Sequence, residues 1–371
     1  MNLLAMVKEP VSIARQLAAA LEATEVPRRS PKTAVRPTLS PYSNETIGFG
    51  GTLFDTPTLY PRRIGEDKWL VWVQGPGGEL PGIQVRMRLH ERPAATALRV
   101  TAVGDCGVDR YLNLGTDRPG GITLNFAANA RRLFAPDDAV GVVTAVGTDD
   151  EAGLVRRAIA RCGLEATIAT LEGATSLQLI DRRPSGEKIF VRYAEGVLGR
   201  YCMGQEERAV IARSDLLMAV VYSQIEELFD SVMEAPSPGL RAVDFGDLDG
   251  LTGGLDLVER YLDRIHVAFF GLISAQGDLI ASLEGLARSS GRLFIVTLGA
   301  DGSLAFAGST RLECRAVAVP HVVDTTGAGD TFAAGFLSEY CRSGRVPESL
   351  ALGAQCAAET VQRLGAFPWD G

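Results

Sequence analysis

From residue 97 onward the chain repeats one pattern, a short apolar β-branched run followed by a stretch of helical periodicity. The runs are ALRVTAVG (97–104), VGVVTAVG (140–147), SDLLMAVVY (214–222), LRAVDFG (240–246), IHVAFFG (265–271) and LFIVTLG (293–299). Runs this continuous, with no polar alternation, belong to strands covered on both faces. The helical stretches between them supply the crossovers that parallel strands require. The pattern predicts an α/β fold with a mostly parallel central sheet flanked by helices. One interruption stands out: TSLQLID and KIFVRYA flank RRPSGE, which predicts a hairpin near 175–193, off the main sheet, as a small β flap or lid.

Residues 1–96 follow a different rhythm. KEPVSIARQLAAALEAT (8–24) has helical spacing, and Pro27, Pro31, Pro37 and Pro41 then mark an extended linker. KWLVWVQ (68–74) and IQVRMRL (83–89) read as two strands separated by a long loop, GPGGELPG. Trp69 and Trp72 lie three apart, which on one strand points them to opposite faces. The expected division is an N-terminal extension, 1–96, and a second domain, 97–371.

Composition narrows the function. The 371 residues carry a formal net charge of −8, and the acidic excess lies beyond residue 96. Non-specific nucleic-acid affinity comes from neutralising phosphates, so no nucleic-acid partner is expected. No window of about 18 apolar residues is free of charge, so no membrane span is expected. Cys106, Cys162, Cys202, Cys314, Cys341 and Cys356 form no CxxC pair and no metal spacing with His90, His266 or His321. Buried free thiols in a reducing, cytoplasmic setting follow. The N-terminus lacks the charged and apolar regions of a secretory signal.

The stretch that carries chemistry is VVDTTGAGDTFAAGFL (322–337). A β-like run, VAVPHVV, reaches Asp324, and Gly327-Ala328-Gly329-Asp330 then opens a helical pattern. Glycines at a helix start let backbone N–H groups approach a ligand, and the helix terminus adds partial positive charge, so the natural guest is an anion. A carboxylate placed there, Asp330, suits a base that takes a proton from an attacking hydroxyl beside a phosphate.

DTTGAGDTF resembles the signature of the ribokinase-like, or PfkB, family of carbohydrate kinases. The resemblance extends over roughly 97–368 and touches four further places. VGDCGVDRYLNLG (103–115) is similar to the segment where the family places a sugar-binding Asp, here Asp109. PGGITLNFAANARRL (119–133) is similar to its sugar motif, giving Gly120, Gly121 and Asn125. VVTAVGTDDEAGLVRRAIARCGL (142–164) and IVTLGADGSLAF (295–306) match two more runs, the second implying nucleotide contacts at Thr297, Gly299 and Gly302. GDxxVD, YAEGV (193–197), AVDFGD (242–247) and CAAETVQRLGAF (356–367) resemble the fructoselysine 6-kinases within the family. The resemblance implies an ATP-dependent kinase acting on a sugar-type substrate. Asp330 would be its base, Gly327, Ala328 and Gly329 its anion hole, and Mg²⁺ its metal. A homodimer through the flap is also implied.

Three departures bear on that expectation. FFGLISAQGD (269–278) lacks the Asn-x-x-Glu motif that organises Mg²⁺ in many relatives, which leaves Asp324 either an indirect metal residue or a loop-fixing one. Ile122 and Gly107 replace polar positions of ribokinase, which favours an acceptor bulkier or less polar than ribose, a ketose or an amine-substituted sugar. Residues 1–96 fall outside the resemblance. A catalytically idle sugar- or nucleotide-binding protein, or a kinase whose extension delivers a sugar-bearing intermediate, are the alternatives.

Overall fold

The computed structural model describes residues 97–182, 188–248 and 251–369, together with the backbone of three strands before residue 97. Contacts divide the chain into two units, Met1–Thr96 and Ala97–Gly371. The helix expected at 8–24 and the linker after it lie outside the described residues.

In the first unit β1 (Thr58–Arg63), β2 (Lys68–Gly75) and β3 (Gly78–Arg86) form an antiparallel sheet in that order. The expected long loop is shorter than GPGGELPG suggests, because the ladder runs to the Gly75–Gly78 pair with a register shift between Val71 and Val73. Strand β1 was not anticipated.

In the second unit the strands are β4 (Arg99–Val103), β5 (Gly107–Tyr111), β6 (Thr116–Gly120), β7 (Ala139–Val146), β8 (Glu165–Thr170), β9 (Leu177–Arg182), β10 (Lys188–Ala194), β11 (Leu216–Val220), β12 (Leu240–Asp244), β13 (Val267–Gly271), β14 (Leu293–Thr297), β15 (Ser303–Ala307) and β16 (Thr310–Cys314). The helices are α1 (Ile122–Leu133), α2 (Asp150–Arg161), α3 (Gln205–Ile211), α4 (Glu226–Glu234), α5 (Leu255–Arg260), α6 (Gly277–Ser290), α7 (Ala328–Ser343) and α8 (Val346–Thr360).

Nine strands make the main sheet, in the order β16-β15-β14-β13-β12-β11-β4-β7-β8. Every pair from β14 across to β8 is parallel, and β15 and β16 close one edge antiparallel. Two apolar cores cover its faces, one with α1, α2, α7 and α8, the other with α3, α4, α5 and α6. Burial on both sides is why β11, LLMAV, carries no polar residue and is buried along its whole length. The chain leaves β4 toward β7 on one side and returns to β11 on the other, so the strand order reverses at the β4–β11 pair. Open α/β sheets bind ligands outside the carboxyl ends of the strands at such a point.

The flap is larger than the hairpin expected from sequence. Strands β9 and β10 do pair, but β9 also runs parallel to β5, giving a four-stranded sheet β10-β9-β5-β6. Asp109 therefore sits in the middle of a strand rather than in a loop. A second correction concerns VAVPHVV: residues 315–323 pair with no strand. Pro320 lacks a donor and most of the segment is exposed, so neither a ladder nor burial holds it as a strand. All six cysteines are free, with Cys106 and Cys356 buried and Cys202 exposed, so the expectation of burial holds for part of the set. Among the described residues no helix is long and apolar enough to cross a membrane.

Candidate active site

The site grows from the start of α1. Asp105, the second residue beyond β4, turns its carboxylate onto the first amides of that helix. Ile122 N–H donates to Oδ2 at 3.1 Å, Thr123 N–H to Oδ1 at 3.2 Å, and Leu124 N–H to the Asp105 carbonyl at 3.3 Å. These are donors that a helix cannot satisfy internally. Gly121, at φ 95°, makes room for this cap, since a Cβ there would lie 2.6 Å from the Asp105 carbonyl oxygen. Its neighbour Gly120 clears space for a different carboxylate, because a Cβ there would overlap Asp109. The Gly-Gly pair thus seats two acids, one per glycine. Burial pushes the Asp105 carboxyl up, against the lowering effect of the amides of Thr123 and Ile122.

One turn into α1, Asn125 N–H closes on the Gly121 carbonyl, and its side chain leaves the helix toward α7. Asn125 Nδ2 donates to Asp330 Oδ2 at 2.8 Å, so the structure brings two predicted residues into direct contact. Asn125 Oδ1 is buried and has no hydrogen-bond partner. Gly327 is the N-cap of α7 at φ 74°, and a Cβ there would collide with Ala366. Gly329 has no such crowding: a Cβ would meet open space, which leaves its backbone approachable. The Ala328 N–H donates to Thr325 O at 3.3 Å, a long bond.

Asp324 is fully buried beneath this turn. Its Oδ1 accepts from Thr326 N–H at 3.0 Å and Thr326 Oγ1 at 2.8 Å, and its Oδ2 from Gly365 N–H at 2.9 Å and Tyr111 Oη at 2.7 Å. Tyr111 and Asp109 share one face of β5, being two apart, so the flap strand that carries Asp109 is tied to the loop before Gly327. Burial first, then the bond to Asp324, raises the Tyr111 hydroxyl above its usual value. Thr297, Gly299 and Gly302 lie apart from this cluster, at the end of β14 and in the turn to β15, where Leu298 N–H donates to Gly302 O at 2.8 Å.

Besides Asp105, four side chains near it were not picked out from the sequence. Tyr193 of β10 and Tyr222 beyond β11 meet edge to face, centroids 5.0 Å apart, with their hydroxyls bonded to each other. Burial, followed by the Asp105 charge, raises both hydroxyls. Ser176 lies against Gly107, and Tyr111 is the fourth. The i, i+2 spacing of Asp109 and Tyr111 and the YAEGV segment were the available signals.

Residues 268–368 match the family model described as pfkB family carbohydrate kinase. That stretch carries a PfkB carbohydrate kinase domain. A fructoselysine 6-kinase from Escherichia coli (strain K12) is 29% identical over 269 residues, covering 72% of this chain and 99% of that protein. A fructosamine kinase from Bacillus subtilis (strain 168) is 29% identical over 275 residues, covering 73% and 93%. Among solved structures, the ribokinase of Arabidopsis thaliana complexed with ribose and ATP superposes with a TM-score of 0.60 at 20% identity, covering 74% of this chain and 96% of that one. The likeness establishes the ribokinase-like fold. The two glycine turns that open α1 and α7 are joined by the Asn125–Asp330 bond.

Proposed function

We propose that this PfkB carbohydrate kinase transfers the γ-phosphoryl group of ATP to a hydroxyl of a sugar derivative, with an amine-linked ketose as its favoured acceptor. The observation that carries the reading is the Asn125–Asp330 contact in the first turn of α7. A carboxylate is held there by a side chain from the sugar-facing helix, beside backbone that a Cβ does not shield. The names of the two curated relatives support the acceptor class.

The acceptor hydroxyl donates its hydrogen bond to Asp330. As its oxygen forms the new bond to phosphorus and the bond to the ADP oxygen breaks, the proton passes to the Asp330 carboxylate. The N–H groups of Gly327, Ala328 and Gly329 take the charge on the transferred group. The long Ala328 bond to Thr325 is the one exchanged for a phosphate oxygen. Asn125 fixes one Asp330 oxygen and so directs the other, while Asp109, Gly120, Gly121 and Asn125 hold the sugar. Thr297, Gly299 and Gly302 line the nucleotide side.

The described residues do not fit a protein-bound Mg²⁺. No group of three or more His, Cys, Asp or Glu that could hold a metal occurs among them. Asp324 already accepts four protein donors, so we assign it to fixing the loop and derive no step through the metal. The flap exposes Leu112, Leu114, Ile189, Phe190 and Val191, apolar area that favours a homodimer formed there. Six free thiols accord with a reducing, cytoplasmic setting.

Mass spectrometry of products formed with ATP and a panel of sugars, fructosamines and nucleosides tests the reading. Phosphorylated fructosamine as the dominant product is expected. No phosphorylated product from any acceptor, in a chain that binds ATP, would overturn it.

A further inference from the structure

The switch-point crevice holds chemistry that a plain sugar does not use. Strand β4 runs out into Asp105 and β11 into Tyr222, so the two lie at the carboxyl ends of neighbouring strands. The Asp105 carboxylate is 4% exposed, and among the described residues no Arg, Lys or His pairs with it. Two glycines bracket it, and each abuts a buried hydroxyl: Thr123 Oγ1 would lie 2.6 Å from a Cβ at Gly104, and Ser176 Oγ lies against Gly107. Both hydroxyls are at most 1% exposed as residues, and neither oxygen makes a well-formed hydrogen bond, with Thr123 beside Asp105 and Ser176 beside Tyr193. Tyr193 and Tyr222 bound the same crevice, each ring half-buried.

Buried polar atoms without partners cost stability, and a buried carboxylate held by backbone amides but given no counter-charge costs more. A ligand group that is positively charged and carries N–H donors answers each of these features. The carboxylate meets its charge, the hydroxyls accept its donors, and tyrosine rings stabilise a cation placed over them. The hydroxyls of an unmodified sugar supply donors but no charge. A secondary amine, protonated near neutral pH, supplies both.

We propose that Asp105, Tyr193 and Tyr222 form a subsite for the ammonium group of an amine-bearing sugar, beside the sugar subsite of Asp109 and Asn125. The proposal rests on the sugar-kinase reading of this site. The link between the subsites is direct: Gly121 packs on Asp105, Gly120 on Asp109, and Asn125 follows one turn along α1.

The test is binding to the full chain by calorimetry, without ATP, using two probes. One is a 1-alkylamino-1-deoxyfructose, and the other is its oxygen-linked isostere, 1-O-alkylfructose. The expected result is tighter binding of the amine by about tenfold or more, a ratio that falls below about threefold in Asp105→Asn. If Asp105→Asn weakens both probes equally, Asp105 only caps α1 and the proposal is overturned. Wild type that fails to discriminate overturns it too. Should Asp105→Asn not fold, Tyr193→Leu and Tyr222→Leu decide instead: each is expected to cut the ratio severalfold, and an unchanged ratio in both overturns the proposal. Turnover with ATP separates the two readings. Discrimination without phosphoryl transfer sinks the kinase reading alone, and transfer without discrimination sinks the subsite alone.

Discussion

Asn125 Nδ2 donates to Asp330 Oδ2 at 2.8 Å across 205 residues of sequence, joining the first turns of two helices on the same face of the sheet. If Asp330 is the base, as proposed, that contact makes its geometry depend on α1. Asp330→Asn keeps the shape but removes the proton acceptor. Turnover is expected to fall by about 10²–10⁴-fold with ATP affinity little changed, as positioned bases contribute that much. Near-normal turnover in the variant would remove Asp330 from the role. Asn125→Asp places a second carboxylate against the first, and like charge raises the affinity of the pair for a proton. The acidic limb of the kcat/KM profile should then move to higher pH, and an unmoved limb would uncouple Asn125 from the base.

At Gly329 a side chain would obstruct the proposed phosphate site without crowding the fold. Its φ is ordinary and a Cβ meets open space, so strain is not the issue. Gly329→Val fills the volume in front of the N–H groups. Lost turnover with unchanged near-UV circular dichroism is expected, and an active, folded variant would place the phosphate elsewhere.

Tyr111 ties the flap to the loop that precedes Gly327. Its hydroxyl is fully buried and donates to Asp324 at 2.7 Å. A hydrogen bond to a charged acceptor contributes about 1.5–3 kcal/mol, so Tyr111→Phe should lower stability by about that amount in urea unfolding. Turnover should drop as well, because Asp324 also orders Thr326 beside the anion hole. A variant as stable as wild type would show that Asp324 does not need the flap.

The sheet and the α7 turn were legible in the sequence because doubly buried strands leave continuous apolar runs and because glycines followed by an acid have a local reason. The flap was legible only in part. Strands β5 and β6 are five residues each and mix charge with glycine, since one face holds Asp109 and Tyr111 while Arg110 pairs with Asp117 outside. No clean strand periodicity survives that mixture. VAVPHVV misled in the opposite sense, being β-branched in composition yet lacking a partner strand. Asp105, Tyr193 and Tyr222 come together only through the strand order, which no local pattern encodes.

His266 offers a pH test of the far end of the sheet. Its Nδ1 accepts the Arg241 backbone N–H at 3.0 Å. Burial lowers its pKa, and Arg292 and Arg241 lower it further. A depressed folded-state value means stability present above the unfolded pKa, about 6.5, and lost as pH falls through the folded one. The melting temperature of wild type should therefore fall, relative to His266→Gln, as pH drops from about 7 to 5. Parallel pH dependence in the two proteins would exclude His266 as the cause.

Asp109 is the residue we propose to select the acceptor. It is 6% exposed, lies against Gly120, and shares a strand face with Tyr111, which places it toward the loop that carries Asp330. On the proposed reading this buried carboxylate accepts hydrogen bonds from neighbouring sugar hydroxyls, and Asn125 Oδ1, buried without a partner, accepts a further one. A site built to pair hydroxyls leaves its own groups unsatisfied when they are missing, which costs orders of magnitude in specificity. Asp109→Ala should raise KM for the acceptor far more than for ATP, since the proposed nucleotide turn at Thr297–Gly302 belongs to a different part of the sheet. The decisive comparison measures kcat/KM for ribose, fructose and a fructosamine in wild type and in Asp109→Ala. Fructosamine should lead in wild type and lose most in the variant, because its ketose hydroxyls are what Asp109 holds. Ribose as the best substrate, or unchanged acceptor kinetics in Asp109→Ala, would remove Asp109 from the sugar subsite.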